Sequence, residues 1–237
     1  MGEFSNSEAR TRFERIYHAL RTRIVLLDYL PGERLREEDL AEEFETSRTP
    51  IRRVLARLED EGLLRSVHGV GTIVTDIHID DLQQVYQLRV ELAELVGRLA
   101  PVRPRPEEMA RYRNLLTRCE ALVKNPDARE FARLNMEFFH LFTRLTANEP
   151  LREVSERLYY QTTRIWLKTA SRLDVYRDML LNEISIFQRE MTDIVTAIEC
   201  GDLHAAGHIR RAHIAMSFAR LYAAAHPEGE GARAGES

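Results

Sequence analysis

The sequence predicts a mainly α-helical protein with two domains. The first contains three helices and a β-hairpin, and the second contains helices alone. Turn signals and strand-like runs are confined to the first third of the chain, whereas only helical periodicity follows residue 84. Of the 237 residues, 44% are hydrophobic and 30% are charged, which is enough apolar material to form a core.

Composition and charge exclude several classes of protein. The chain is unlike a collagen, a disulfide scaffold or a largely disordered protein. Its net charge of −4 argues against a protein that coats nucleic acid, although it leaves room for a local basic patch. We see no membrane-spanning stretch and no signal peptide, and we expect a cytoplasmic location. Cys119 and Cys200 lack metal-type spacing, and we expect both to be small buried side chains.

The elements of the first domain follow from spacing and punctuation. Apolar residues at helical spacing and turn residues between them predict helices over 10–28, 37–44 and 48–61 and strands over 63–67 and 72–75. Pro31 and Gly32 end the first helix. Ser47 is placed to cap the third helix, and Gly62 follows its end.

The second domain shows six apolar stripes at helical spacing, which predict an all-α bundle. Its breaks fall at proline, glycine and asparagine clusters. We therefore divide the chain into a disordered N-terminus (1–9), a first domain (10–76), a linker (77–83), a helical domain (84–225) and a disordered, Gly- and Glu-rich tail (226–237).

Three helices followed by a hairpin form the outline of a winged helix-turn-helix, whose last motif helix enters the major groove of DNA. At 100° per residue, one side of the third helix is apolar, while Arg48, Thr49, Arg52 and Arg53 project from the other. Arginine pairs with guanine in two hydrogen bonds or clamps a phosphate. The alternative is an ordinary solvated arginine face.

A resemblance strengthens the DNA-binding interpretation. The first domain carries the run PGERL-(3)-DLAEEF-(2)-SRTPIRRVLARLEDEGLL-(4)-GVGTIV, which resembles GntR-type bacterial transcription regulators over residues 12–75. The resemblance implies DNA contacts from Ser47, Arg48, Thr49 and Arg52 in the helix and from His68 and Gly69 in the wing. Some members of the FadR branch of that family carry a base-contacting arginine just before the second helix, at the position where this chain has Glu38. The nearby Arg36 is the candidate to replace it.

The helical domain is similar to the FadR branch of that family. Three segments carry the similarity: QLRVELAELVGRLA (87–100), NMEFFHLFTRLTANEPL (135–151) and AIECGDLHAAGHIRRAHI (197–214). The similarity implies a small-molecule sensor of the FCD type and a divalent metal held by an Asp or Asn and three His. The four corresponding positions here are Asn135, Phe139, Met191 and His213.

Two of those four residues cannot ligate a metal such as zinc, which wants three or four N, O or S ligands. We therefore expect no stoichiometric zinc, manganese or nickel in the helical domain and assign no cofactor. One alternative is that His140 faces inward in place of Phe139. The exposed pair His204 and His208, spaced i, i+4, is interpreted as surface, with metal chelation as its alternative.

Without a metal, we expect a ligand cavity lined by Arg89, Asn135, Phe139, Met191 and His213. A buried arginine requires an anionic partner, which is either the carboxylate of an organic-acid effector or a glutamate on a neighbouring helix. Phe139 and Met191 make the expected chamber apolar. They favour an acyl or aromatic acid over a small dicarboxylate.

Together these features predict a homodimeric, ligand-responsive transcription regulator, more often a repressor in the resembled family, that binds a palindromic operator. An architectural DNA-binding protein without an effector is one alternative. An enzyme with its centre in the bundle is another, although the helices show no nucleophile–base set, phosphate loop or paired carboxylates.

Overall fold

A computed structural model describes residues 2–170 and 176–226. The chain divides between Ile77 and His78 into two compact units. The first unit contains α1 (Gly2–Val25), β1 (Arg34–Leu35), α2 (Glu37–Glu43), α3 (Arg48–Asp60), β2 (Leu64–Val67) and β3 (Gly71–Val74). The second contains a short 3-10 helix (Asp80–Leu82) and then α4 (Gln83–Val96), α5 (Pro106–Lys124), α6 (Ala128–Thr143), α7 (Glu149–Ala170), α8 (Tyr176–Glu199) and α9 (Leu203–Ala225). The predicted fold class is confirmed.

The first unit is held by apolar faces of α1 and α3. Ile16, Leu20 and Ile24 recur along α1 and are fully buried, as are Ile51 and Val54 on α3. Spacings of three and four residues place such side chains on one face of a helix, so each helix offers one stripe to the shared core. The opposite face of α3 remains exposed.

The sheet has three strands in the order β1-β3-β2, all antiparallel. The hairpin of β2 and β3 was predicted, but β1 was not. It pairs Arg34 with Ile73 and Leu35 with Thr72. Two residues are too short to show the alternation of polar and apolar side chains that identifies a strand.

Two further boundaries differ from the prediction. Helix α1 begins at Gly2, although we expected residues 1–9 to be disordered. The segment has no proline and no glycine after Gly2, so nothing in its backbone interrupts the helix. A turn of 3-10 helix lies within the predicted linker (77–83). The predicted disordered tail, apart from His226, lies outside the described residues.

The helical unit is built around a core to which all six helices from α4 to α9 contribute. Leu134 and Phe138 of α6 and Ile184 and Ile194 of α8 are fully buried there. Cys119 is also buried, but Cys200 is exposed, which corrects our expectation. Cys200 follows the last residue of α8, where the chain leaves the packed face. Among the described helices, none combines the length and apolar character needed to cross a lipid bilayer.

Helices α4 and α9 approach at very short range because glycine lies at the contact on both sides, as Gly97 at the C-cap of α4 and as Gly207 within α9. A Cβ atom added to Gly97 would overlap the carbonyl oxygen of Leu203, and one added to Gly207 would lie 2.7 Å from the carbonyl oxygen of Glu94. Only a residue without a side chain allows backbones to approach so closely. This crossing fixes the position of α4, which carries Arg89, against α9.

Candidate nucleic-acid interface and ligand cavity

The exposed face of α3 presents the residues predicted to contact DNA. Arg48, Thr49 and Arg52 are exposed on it, and Ser47 is the N-cap residue of the helix. The Ser47 side chain makes no capping hydrogen bond, contrary to our expectation. Its exposed hydroxyl therefore lies at the helix N-terminus, where backbone N–H groups and the helix dipole favour an anion.

Two glutamates of α2 pair with the arginines of this face. Glu38 lies 2.9 Å from Arg48, and Glu37 lies 2.7 Å from Arg52. Both arginine side chains are more than half exposed, so each pair contributes little to stability and can be exchanged. Arg36 is the exposed N-cap residue of α2. Sequence reasoning missed the pairing because it joins two helices.

Arg53 lies apart from Arg48 and Arg52 and packs against α1, as Arg57 does. It is exposed, but its guanidinium stacks 5.5 Å from the ring centre of Phe13 on α1. A cation over an aromatic face is attracted by the negative face of the ring. The structure therefore brings Ser47, Arg48, Thr49 and Arg52 together, with Arg53 turned toward α1.

His68 and Gly69 lie exposed in the turn between β2 and β3. Gly69 has φ +76°, a left-handed conformation that residues with a side chain adopt at a cost, so the backbone requires glycine there. Arg34 of β1 lies against Gly71 at the other end of this turn. Arg34 was not predicted to belong to the wing, because only the pairing of β1 with β3 brings it to the hairpin.

The helical unit contains a cavity of about 100 Å³ between α4, α6, α7, α8 and α9. Five aromatic residues line it: Tyr86, Phe131, Tyr159, Trp166 and Phe187. Of the residues expected at a ligand cavity, Arg89, Asn135 and His213 line this one, and Phe139 lines a smaller neighbouring cavity of about 20 Å³. Arg89 and Arg210 border both cavities.

Met191 lines neither of these cavities, which corrects the prediction. Its side chain is 1% exposed and belongs to the apolar core of the unit. The preceding residue, Glu190, faces the larger cavity. Consecutive residues on a helix differ by 100°, so one position separates a cavity-lining residue from a core residue.

Arg89 has no carboxylate within ion-pair distance in the part of the chain that the structure describes. Its Nη1 donates to the hydroxyl of Thr162 at 2.6 Å, and its guanidinium lies 5.1 Å from the ring centre of Tyr86 and 5.3 Å from that of Tyr159. Burial lowers the pKa of Arg89, and the positive charge of Arg210 lowers it further. A glutamate partner, one of the two alternatives, is therefore not found among the described residues.

The other charges at the cavity are paired. Arg210 binds Glu190 at 2.5 Å, both side chains being almost fully buried, and Arg220 binds Glu183 at 2.5 and 3.0 Å. Sequence reasoning missed these four residues. The lining thus holds three arginines against two glutamates, and Arg89 carries the unmatched positive charge. Arg89 is only partly exposed, and an unmatched cation that is partly withdrawn from water is unfavourable until an anion arrives.

The interior residues do not fit a metal ion. Phe139 stacks face to face on Tyr159 with ring centres 3.9 Å apart, and Met191 is in the core, which leaves Asn135 and His213. The nearest carboxylate oxygen of Glu190 is 4.0 Å from Nδ1 of His213. His140 lines neither cavity. Its Nε2 lies 2.7 Å from the hydroxyl of Tyr160.

Comparison with known proteins gives two family matches. Residues 12–74 match the gntR family of bacterial regulatory proteins, and residues 84–216 match the FCD domain. The Nta operon transcriptional regulator of Aminobacter aminovorans is 32% identical over 61% of this chain and 69% of its own. A probable D-xylose utilization operon transcriptional repressor of Paenarthrobacter nicotinovorans is 29% identical over 84% and 82%. The E. coli McbR/YncC structure has a TM-score of 0.74, is 20% identical, and matches over 89% of this chain and 97% of its own.

Proposed function

The chain belongs to the gntR family of bacterial regulatory proteins and carries an FCD domain, and we propose that it is a homodimeric operon repressor controlled by a small organic acid. That it is a DNA-binding transcription regulator follows from its family. The name of one relative, a probable operon repressor, supports repression. We place its action in the cytoplasm, where bacterial DNA lies, and assign it no catalytic activity.

In the DNA-bound state, α3 enters the major groove. Arg48 and Arg52 leave their glutamate partners and contact guanine edges or phosphates, while Ser47 and Thr49 bind the backbone near the helix N-terminus. The wing residues His68 and Gly69 contact backbone or minor groove. Arg36 and Arg53 flank the face and contact phosphates. Two protomers related by a two-fold axis would read a palindromic operator.

The observation that carries the effector proposal is the unmatched charge of Arg89 beside five aromatic rings. A carboxylate would accept two parallel hydrogen bonds from the guanidinium and neutralise it. The aromatic lining would cover the apolar part of the same ligand. An acyl or aromatic monocarboxylate therefore fits better than a dicarboxylate, whose second charge would meet Glu183 or Glu190.

The test measures DNA affinity while organic acids are added. A fluorescent duplex recovered from a random pool by the wild-type protein is titrated in the presence of medium-chain monocarboxylates, benzoates and succinate. We expect one of the monocarboxylates or benzoates to lower DNA affinity at least about tenfold, and succinate to have no effect.

Arg89→Met should bind the duplex like wild type and lose the response to the acid. Arg111→Met is the matched control, because Arg111 is an exposed arginine of α5 that does not line the cavity. An unchanged response in Arg89→Met would refute the effector site. A protein that binds the duplex and responds to none of the acids would favour the architectural alternative.

A further inference from the structure

A second group of polar side chains lies on the surface of the helical unit, away from the lining of either cavity. It consists of Glu94 on α4 and His204 and His208 on α9. In the part of the chain that the structure describes, it is the one group in which three His, Cys, Asp or Glu residues have ligand atoms all within 4.8 Å of one another. Both histidines are exposed, and Glu94 is half-buried.

Two features of the fold bring these three residues together. His204 and His208 are spaced i, i+4, so their rings lie one turn apart on the same face of α9, with centroids 4.4 Å apart. Glu94 reaches the same place from α4 because the glycine crossing brings its carbonyl oxygen within 2.7 Å of a Cβ built on Gly207. The carboxylate Oε2 of Glu94 lies 3.7 Å from Nδ1 of His208.

We propose that Glu94, His204 and His208 form a surface site for a divalent transition metal, with zinc as the ion that fits best. Two imidazole nitrogens and one carboxylate oxygen, completed by water, match a three-residue zinc site with an open position. Ligand atoms around tetrahedral zinc lie roughly 3.3 Å apart, given bond lengths of about 2.0–2.1 Å. The ligand atoms of the three residues lie within 4.8 Å of one another here, and rotation of the two exposed imidazole rings would bring them to the spacing that zinc requires.

The charged neighbours of the group leave the Glu94 carboxylate available to a metal ion. Arg98 lies 3.4 Å and Arg211 lies 3.3 Å from oxygens of Glu94. These contacts are exposed on the arginine side and are therefore weak. Arg211 also binds Glu91 at 2.8 Å, and that partner remains when a metal takes the Glu94 carboxylate.

The proposal revises the expectation that the helical domain holds no metal. That expectation rested on the interior positions, where Phe139 and Met191 stand, and on interpreting His204 and His208 as surface, with metal chelation as the alternative. The sequence did not reveal that Glu94 completes the group. The site joins α4 to α9, the helices that carry Arg89 and Arg210, and it does not depend on the identity of the effector.

The test is zinc titration of the full chain, freed of metal by a chelator and lacking any affinity tag, by isothermal calorimetry. We expect one zinc per chain and a rise in melting temperature when zinc is added, because an ion that binds only the folded state stabilises it. His204→Ala, His208→Ala and Glu94→Gln should each weaken zinc binding by at least about tenfold, since loss of an outer-shell partner alone costs about 10–100-fold.

Two controls make the result decisive. His226→Ala, at an exposed histidine outside the group, should bind zinc like wild type. His213→Ala should also bind like wild type, because His213 belongs to the cavity. Circular dichroism checks that each variant is folded. Equal binding by wild type and all three site variants would overturn the proposal, as would loss of binding in His213→Ala alone.

Discussion

At the scale of single residues, Arg89 and Arg210 carry the same charge but differ in what neutralises it. Arg210 has Glu190 at 2.5 Å in a nearly water-free setting. Arg89 has a hydroxyl and two aromatic faces. The charge of Arg210 is thus neutralised by a glutamate of the protein, whereas the charge of Arg89 has no carboxylate beside it among the described residues.

Replacing the two arginines should therefore have different consequences for stability. Arg210→Met leaves Glu190 buried and unpaired, and we expect a loss of about 3–5 kcal/mol in the free energy of unfolding. Arg89→Met removes a cation without a carboxylate, and we expect the same or a greater stability than wild type. Urea unfolding followed by the fluorescence of Trp166, the single tryptophan, measures both. A large loss in Arg89→Met would show that Arg89 is structurally neutralised after all.

The arginines on the exposed face of α3 give a second prediction at this scale. Arg48→Ala and Arg52→Ala should each weaken binding to the selected duplex by about 1–3 kcal/mol if the guanidinium reads a base. His68→Ala should have a smaller effect, because the wing mainly positions the domain. Fluorescence anisotropy at matched salt measures all three, with Arg111→Ala as control. Wild-type affinity in both arginine variants would exclude α3 as the reading helix.

At the scale of elements, spacing predicted helices well and contacts between helices poorly. The exposed and buried faces of α3 follow from the 100° rotation between residues, and so do Arg48 and Arg52. The partners Glu37 and Glu38 come from another helix, and no periodicity reveals them. Met191 was predicted by counting residues along α8 from the resembled family's pattern, and that count missed the cavity by one residue, since Glu190 lines it and Met191 does not. The strand β1 was missed because its pairing with β3 is set by the fold alone.

The glycine crossing of α4 and α9 gives a prediction for an element pair. Gly97→Ala and Gly207→Ala each insert a methyl group against backbone that cannot move aside without separating the helices. We expect each to lower the free energy of unfolding by about 1–3 kcal/mol, as for other overpacked sites. Ala215→Ser, which adds one atom on an exposed face of α9, is the control. Wild-type urea midpoints in both glycine variants would mean that the helices are not closely packed.

At the scale of the whole molecule, the division between Ile77 and His78 leaves the helical unit with a core of its own. We predict that residues 78–237, expressed alone, fold and form a dimer at micromolar concentration, because repressors that read palindromes need a two-fold partner. Circular dichroism and sedimentation velocity test the two statements. A folded monomer would remove the basis for a palindromic operator.

The glutamates that hold Arg48 and Arg52 also affect how the protein would search a genome. When an unpaired arginine meets a phosphate, small ions are released from the DNA, and each such contact steepens the fall of affinity with added salt. In the proposed complex, part of that electrostatic gain offsets the separation of each arginine from its glutamate, at random sequences as well as at the operator. Only at the operator do hydrogen bonds to base edges compensate for the loss of the two ion pairs. Because each exposed pair is worth only about 0.2–1 kcal/mol, the two pairs would lower the affinity for random DNA modestly, and the protein would leave such DNA somewhat faster than without them.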